Sequence, residues 1–116
     1  MGDAPRVLVV EDDASLRLLC RLNLELEGFA VREAATLSDA RAAVASERPA
    51  VVFLDVHLGA EATDELLDEL RRGGVPVVLV TGAADLAQYR DRADHVLGKP
   101  FEPTALVDAA RKYAVR

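Results

Sequence analysis

The sequence predicts an α/β domain in which a five-stranded parallel sheet carries helices on both faces. Three apolar runs, 7–10, 51–54 and 75–80, are continuous rather than alternating, which is typical of strands buried on both sides of a sheet. The segments between them show helical spacing, so strands and helices alternate along the chain. The 116 residues, of which 51% are hydrophobic, are enough for one core. We therefore expect a single domain spanning residues 1–116.

The first half of the chain supplies two strands and two helices. After the strand at 7–10 comes a helix in which four leucines recur at helical spacing, namely Leu16, Leu19, Leu22 and Leu26. A short strand at 30–32 follows. The second helix can be capped by Thr36 or Ser38. It stops at Arg48-Pro49, because proline disfavours helix in the residue before it.

The middle of the chain supplies two more strands and a third helix. The strand at 51–54 leads into a helix that begins near 60–63 and ends at Gly73-Gly74, where glycine is typical of a helix end. The run at 75–80 is the next strand, although Pro76 interrupts it.

The last third of the chain is predicted less uniformly. Segment 84–92 is short and weakly apolar, so we expect one or two turns there, or a loop. A fifth strand lies at 95–97. A final helix begins near Pro103, because proline is favoured in a first turn, and runs nearly to the end. Right-handed crossovers on both faces then give a flavodoxin-like, doubly wound sheet of order 2-1-3-4-5.

Composition excludes several classes of function. No apolar run is long enough to span a bilayer and no signal peptide opens the chain, so we expect a cytoplasmic location and no membrane partner. The net charge of −6 argues against binding of nucleic acid by this domain, which needs clustered Lys and Arg. The single cysteine, Cys20, cannot form an internal disulfide, and its leucine neighbours suggest a thiol packed on the core.

Polar residues follow the predicted strands at the edge where such sheets bind ligands. In doubly wound folds that edge is formed by the carboxyl ends of the strands. The residues at these strand ends are Glu11, Asp12 and Asp13, then Asp55, Thr81 and Lys99. Each acid alone is equally well explained as a helix or turn cap, and Asp13 or Ser15 is expected to cap the first helix. Two of the four strand ends carry acids, the third carries the hydroxyl of Thr81 and the fourth the amine of Lys99. This combination favours a shared site instead.

The residue types indicate phosphoryl chemistry assisted by a hard cation. Asp55 ionised beside Glu11 and Asp12 would suffer repulsion that a bound cation removes. Mg²⁺ suits a site of few carboxylates that retains waters. In that setting Asp55 can act as the nucleophile toward a phosphoryl group, while Lys99 neutralises its oxygens and Thr81 hydrogen-bonds to them.

These strand ends resemble those of the receiver domains of two-component response regulators. The resemblance covers essentially the whole chain and rests on four motifs in order: Val9-Val10-Glu11-Asp12-Asp13, Phe53-Leu54-Asp55-Val56, Val80-Thr81-Gly82 and Lys99-Pro100-Phe101. It implies that Asp55 accepts a phosphoryl group from a histidine kinase or a histidine phosphotransfer protein. It also implies that Asp12 binds Mg²⁺ directly, Glu11 acts mostly through water, and the backbone carbonyl of His57 supplies a further ligand.

The same resemblance implies a role for the His57 side chain and for the last strand end. At two positions past the acceptor, the His57 side chain would flank the phosphoryl group and influence its hydrolysis, although a plain exposed histidine is an equal alternative. The family keeps the peptide at Lys99-Pro100 cis. As a member, the chain would be a signalling domain rather than an enzyme, with a possible downstream output protein.

The chain departs from the receiver pattern at three places. Val96 stands where the family usually has an aromatic switch residue. Residues 58–61 replace the usual proline and glycine after the acceptor. The fourth helix is short, which is similar to small receivers found without an output domain, although Ala84 stands where those have an aromatic residue. We therefore expect output through a partner rather than through a conventional receiver dimer.

Three other hypotheses compete with the receiver. A phosphohydrolase of the haloacid dehalogenase type would need a second aspartate at position 57, which is His57 here. A degenerate receiver that binds partners without phosphorylation would not need the complete set of acids, hydroxyl and amine. A nucleotide-binding domain would need a glycine-rich loop after the first strand, which the sequence lacks.

Overall fold

A computed structural model describes residues 4–59, 61–82 and 86–114, with residue 61 described for its backbone alone. These segments form seven strands and five helices. The strands are β1 (Arg6–Val10), β2 (Ala30–Ala34), β3 (Val51–Asp55), β4 (His57–Leu58), β5 (Glu61–Ala62), β6 (Val77–Gly82) and β7 (His95–Lys99). The helices are α1 (Ala14–Leu26), α2 (Leu37–Ser46), α3 (Asp64–Arg72), α4 (Leu86–Tyr89) and α5 (Pro103–Tyr113).

The main sheet has the predicted architecture. Its order is β2-β1-β3-β6-β7, and every neighbouring pair is parallel. When these five strands are counted in chain order, the arrangement is 2-1-3-4-5, so the doubly wound prediction is confirmed. The two remaining strands, β4 and β5, form a separate antiparallel hairpin that the sequence did not reveal.

Two apolar clusters, one on each side of the sheet, form the core. Alternate residues of β1 separate cleanly between them: Leu8 and Val10 belong to one cluster, and Val7 and Val9 belong to the other. The first cluster contains the buried residues of α2 and α3, and the second contains those of α1 and α5. The continuous apolar runs of the sequence follow from this double burial.

Helix and strand ends follow local chemistry. Asp13 caps α1, because its carboxylate accepts hydrogen bonds from the backbone of Ser15 and Leu16 at 2.9 and 3.1 Å. Thr36 caps α2 by accepting from the Asp39 backbone at 3.0 Å. The fourth strand of the sheet starts at Val77, two residues later than predicted, because Pro76 has no backbone N–H to donate.

Two helix predictions need correction or limitation. Helix α3 starts at Asp64, one residue past the range 60–63 near which its start was predicted, because the hairpin strand β5 occupies residues 61 and 62. Residue 60 lies outside the described part of the chain. Helix α4 is a single turn, as expected, while residues 84 and 85 of the predicted segment lie outside it as well. Its Tyr89 is buried, and none of the described helices has the length and hydrophobicity of a bilayer span.

The helix that the leucine spacing predicted is present as α1, but most of those leucines do not face the core. Leu19, Leu22 and Leu26 are 47%, 50% and 83% exposed. The residues that α1 buries in the core are Cys20 and Leu24. Three of the four leucines whose spacing predicted this helix therefore lie outside its buried face, because leucines occupy more of the helix than the face that touches the sheet. The prediction that Cys20 packs on the core is confirmed.

Candidate functional site

The first acid of the site is held in place by the end of β1. The Glu11 backbone N–H continues the sheet by donating to the Ala34 carbonyl at 3.0 Å, and the residue is only 4% exposed. One of its carboxylate oxygens accepts from the Asp13 backbone at 3.1 Å. The Arg17 guanidinium donates to the Glu11 carbonyl at 2.8 Å and to Glu33 at 2.9 Å. This arrangement fixes the acidic turn between β1 and α1.

The second acid, Asp55, ends the central strand β3 and is 3% exposed. Its Oδ1 accepts a hydrogen bond from the His57 backbone N–H at 3.0 Å. Its Oδ2 lies 3.2 Å from Nζ of Lys99, and the same ammonium lies 3.2 Å from Oε1 of Glu11. One cation from the end of β7 thus joins two buried carboxylates from the ends of β1 and β3.

The electrostatics of this cluster show more negative charge than Lys99 compensates. Burial, reinforced by the neighbouring Asp55 carboxyl, raises the pKa of Glu11 from 4.5 to about 7. For Lys99, burial alone would lower the pKa of the ammonium, but the attraction of Asp55 and Glu11 outweighs it and the pKa is raised. Lys99 therefore stays charged, whereas Glu11 titrates near neutral pH in the absence of a further cation.

Three carboxylates converge closely enough to hold a metal ion. Oxygens of Glu11, Asp12 and Asp55 all lie within 4.8 Å of one another, the first and last buried and Asp12 exposed. Oxygen donors with Asp12 on an exposed side suit a hard cation such as Mg²⁺. Burial raises the pKa of Glu11, and a bound cation would favour its ionised form. The donor set therefore fits the predicted metal. The imidazole of His57 is not part of this cluster.

The loop after Asp55 is folded into the β4–β5 hairpin, which lies against the acids. Its turn residue Gly59 has φ +61, a conformation that favours glycine, and a Cβ at this position would lie 3.6 Å from Oδ2 of Asp12. The Val56 carbonyl accepts a hydrogen bond from the buried hydroxyl of Thr63 at 3.0 Å. The side chain of His57 is exposed at the start of this hairpin.

The remaining predicted residues lie at the same edge of the sheet. Thr81 is 1% exposed and follows Val80, which is the register partner of Asp55 in the neighbouring strand. The peptide between Lys99 and Pro100 is cis, as the resemblance implied. Val96, at the position where receivers usually carry an aromatic residue, packs partly buried against the core.

Sequence reasoning missed the residues that support the site. Arg17 gave no signal beyond being a charged residue inside a helix, and Thr63 looked like an ordinary helix start. Only Gly59 offered a usable hint, since a glycine five residues before a helix suggests a tight turn. The roles of Arg17 and Thr63 depend on hydrogen bonds to backbone carbonyls, which leave no pattern in the sequence.

Comparison with known proteins agrees with this geometry. The family model described as response regulator receiver domain matches residues 7–111, which is most of the chain. A C4-dicarboxylate transport transcriptional regulatory protein, DctD of Pseudomonas aeruginosa, is 36% identical over 116 residues, covering 92% of this chain and 24% of DctD. The DNA-binding response regulator MtrA of Mycobacterium tuberculosis is 35% identical over 111 residues, covering 91% of this chain and 49% of MtrA.

A solved structure gives the same result for the fold. The receiver domain of NtrX from Brucella abortus superimposes with a TM-score of 0.86 at 29% identity, covering 93% of this chain and 97% of that domain. The chain spans about a quarter to a half of the length of the curated relatives DctD and MtrA.

Proposed function

The chain belongs to the response regulator receiver domain family, and we propose that it accepts a phosphoryl group on Asp55 and switches protein contacts in response. The observation that carries this proposal is the Asp55 carboxylate, buried at the end of the central strand and joined to Lys99 at 3.2 Å beside Glu11 and Asp12. Receiver domains are signalling domains, so the acid is the acceptor of a signal rather than part of a general hydrolase. We take residues 1–116 as one such domain.

In the proposed reaction, an Asp55 oxygen attacks the phosphorus of a phosphohistidine on a histidine kinase or a phosphotransfer protein. The P–O bond to Asp55 forms as the P–N bond to the donor imidazole breaks, and the imidazole leaves with the electron pair. Lys99 pairs with the incoming phosphoryl oxygens, and the hydroxyl of Thr81 donates a hydrogen bond to one of them. An acyl phosphate on Asp55 results.

Glu11, Asp12, Asp55 and the backbone carbonyl of His57 would hold Mg²⁺. When bound, the ion supplies positive charge that stabilises the transferring phosphoryl group. The close approach of three carboxylates and the raised pKa of Glu11 support this assignment. The exposed His57 side chain would flank the phosphoryl group and influence how fast water removes it.

The phosphoryl group adds close to two negative charges at the site, which biases the surrounding loops toward a second arrangement. With Val96 in place of an aromatic residue and α4 reduced to one turn, output runs through a partner protein instead of the usual receiver dimer. The net charge of −6 gives this domain no basis for binding nucleic acid itself, although MtrA is named a DNA-binding regulator. A cytoplasmic location belongs to the same proposal.

The deciding experiment is incubation with Mg²⁺ and acetyl phosphate, followed by intact mass. We expect the wild type to gain one phosphoryl group only when Mg²⁺ is present. Asp55→Asn removes the acceptor and should gain none, while Asp68→Asn, a matched change at an exposed acid on α3, should behave as the wild type.

Two results would contradict the proposal. An adduct that persists in Asp55→Asn would exclude Asp55 as the acceptor. If the wild type forms no adduct and binds no Mg²⁺, the chain is instead a phosphorylation-independent interaction domain.

A further inference from the structure

Thr63 stands at the N-cap position of α3, directly before its first residue Asp64, but its side chain does not cap that helix. Its backbone is already helical, with φ −97 and ψ −4, whereas capping residues are normally extended, and its side chain makes no capping hydrogen bond. Thr63 is only 2% exposed, and its hydroxyl donates instead to the Val56 carbonyl at 3.0 Å. The β4–β5 hairpin lies between Val56 and Thr63 in the chain, and its antiparallel strands bring these two residues together.

The peptide that Thr63 holds also binds the acceptor. The Val56 carbonyl and the His57 N–H belong to the same peptide group, which is trans, so the two point in opposite directions. Thr63 holds the carbonyl on one side, and the N–H on the other side donates to Oδ1 of Asp55 at 3.0 Å. The Val56 N–H is itself fixed by the Val80 carbonyl at 3.0 Å.

We propose that Thr63 is a positioning residue that orients the Asp55 carboxylate through the Val56–His57 peptide. The terminal torsion of an aspartate has a broad energy minimum, so the carboxylate needs a partner on each oxygen to keep one orientation. Oδ1 has the His57 N–H and Oδ2 has Lys99. Thr63 acts on the first of these partners by fixing the plane of its peptide. This inference rests on the proposed phosphoacceptor role of Asp55.

The test compares three variants of the full chain. Thr63→Val keeps the shape and removes the hydroxyl; Thr63→Ser keeps the hydroxyl; Thr36→Val removes a threonine hydrogen bond at the start of α2, away from the site. The rate of Asp55 phosphorylation by acetyl phosphate with Mg²⁺ is followed by intact mass. The amide resonance of His57 is followed by ¹⁵N-correlated NMR in the metal-free protein.

We expect Thr63→Val to shift the His57 amide resonance and to slow phosphorylation between about threefold and about tenfold, the range that one net hydrogen bond supports. Thr63→Ser should keep both values, and Thr36→Val should lower stability alone. If Thr63→Val does not fold, Thr63→Ala replaces it.

A wild-type rate and an unchanged His57 resonance in Thr63→Val would overturn the inference, as would an equal loss in Thr63→Ser. If the wild type itself forms no adduct, the proposed function fails, while the NMR comparison still decides whether Thr63 orients the peptide.

Discussion

The raised pKa of Glu11 predicts that the metal-free protein becomes less stable as the pH rises from about 4.5 to about 7. A carboxyl whose pKa is higher in the folded state binds its proton more tightly there, so it stabilises the fold below the unfolded pKa. That contribution is lost as the pH rises through the folded pKa. Lys99 stays protonated throughout this window, because its pKa is raised, and it adds no slope of its own there.

The size of the effect follows from the two values. A rise from 4.5 to about 7 corresponds to about 3 kcal/mol, at about 1.4 kcal/mol for each pH unit. For a domain of this size, such a loss lowers the urea midpoint by on the order of 1 M. Adding Mg²⁺ at neutral pH should restore the stability. The cation balances the carboxylate charges that the folded state brings together, whereas the unfolded chain has no such site to bind it.

The assay is urea unfolding in EDTA at several pH values, with and without Mg²⁺. Glu11→Gln removes the titrating group, so its metal-free stability should stay flat across the window and exceed that of the wild type at pH 7.5. Glu33→Gln is the matched control: the guanidinium of Arg21 lowers the pKa of Glu33, so this variant should keep the wild-type slope between pH 4.5 and 7. An unchanged slope in Glu11→Gln would refute the reasoning.

Three further predictions concern the core, the thiol and the ammonium. Leu24→Ala should lower the free energy of unfolding by about 2–5 kcal/mol, because Leu24 is fully buried. Leu22→Ala, at a half-exposed position, should lower it by less than about 1 kcal/mol. Equal losses in denaturant titrations would contradict the burial pattern of α1. Burial raises the pKa of the Cys20 thiol to about 12. A thiol reagent at pH 8 should therefore label the native protein far more slowly than the urea-unfolded chain. Comparable labelling rates would show that the thiol is accessible in the native protein. Lys99→Met should slow phosphorylation by acetyl phosphate by about 10-fold to about 100-fold, because it removes a charge-assisted hydrogen bond. A wild-type rate, followed by intact mass, would show that Lys99 takes no part in the reaction.

The fold could be predicted because its central strands are continuous apolar runs in the sequence. A strand buried on both faces must be apolar throughout, and the runs at 7–10 and 51–54 satisfy that condition with few competing explanations. The site followed from the fold, since residues after parallel strands meet at one edge. Glu11, Asp55 and Lys99 do meet there, within 3.2 Å contacts.

The structural prediction failed where several local structures were compatible with the same stretch of sequence. Helix α1 has leucines on more than one face, so spacing alone did not show that Leu24 is buried while Leu22 is half exposed. The hairpin after Asp55 spans four strand residues, too few for an alternating pattern. Thr63 is a residue type typical of a helix cap, and only the structure shows that its hydroxyl donates to the Val56 carbonyl instead.

The order of the strands has a consequence for when the site comes into existence. Its side chains come from the ends of β1, β3 and β7, which are joined by long-range parallel pairings rather than by local turns. Such pairings form late, because distant parts of the chain must first be brought together. A chain emerging from the ribosome has its acids long before it has Lys99. The complete cluster of charges is therefore reached only when synthesis has passed residue 99 and the last strand has docked.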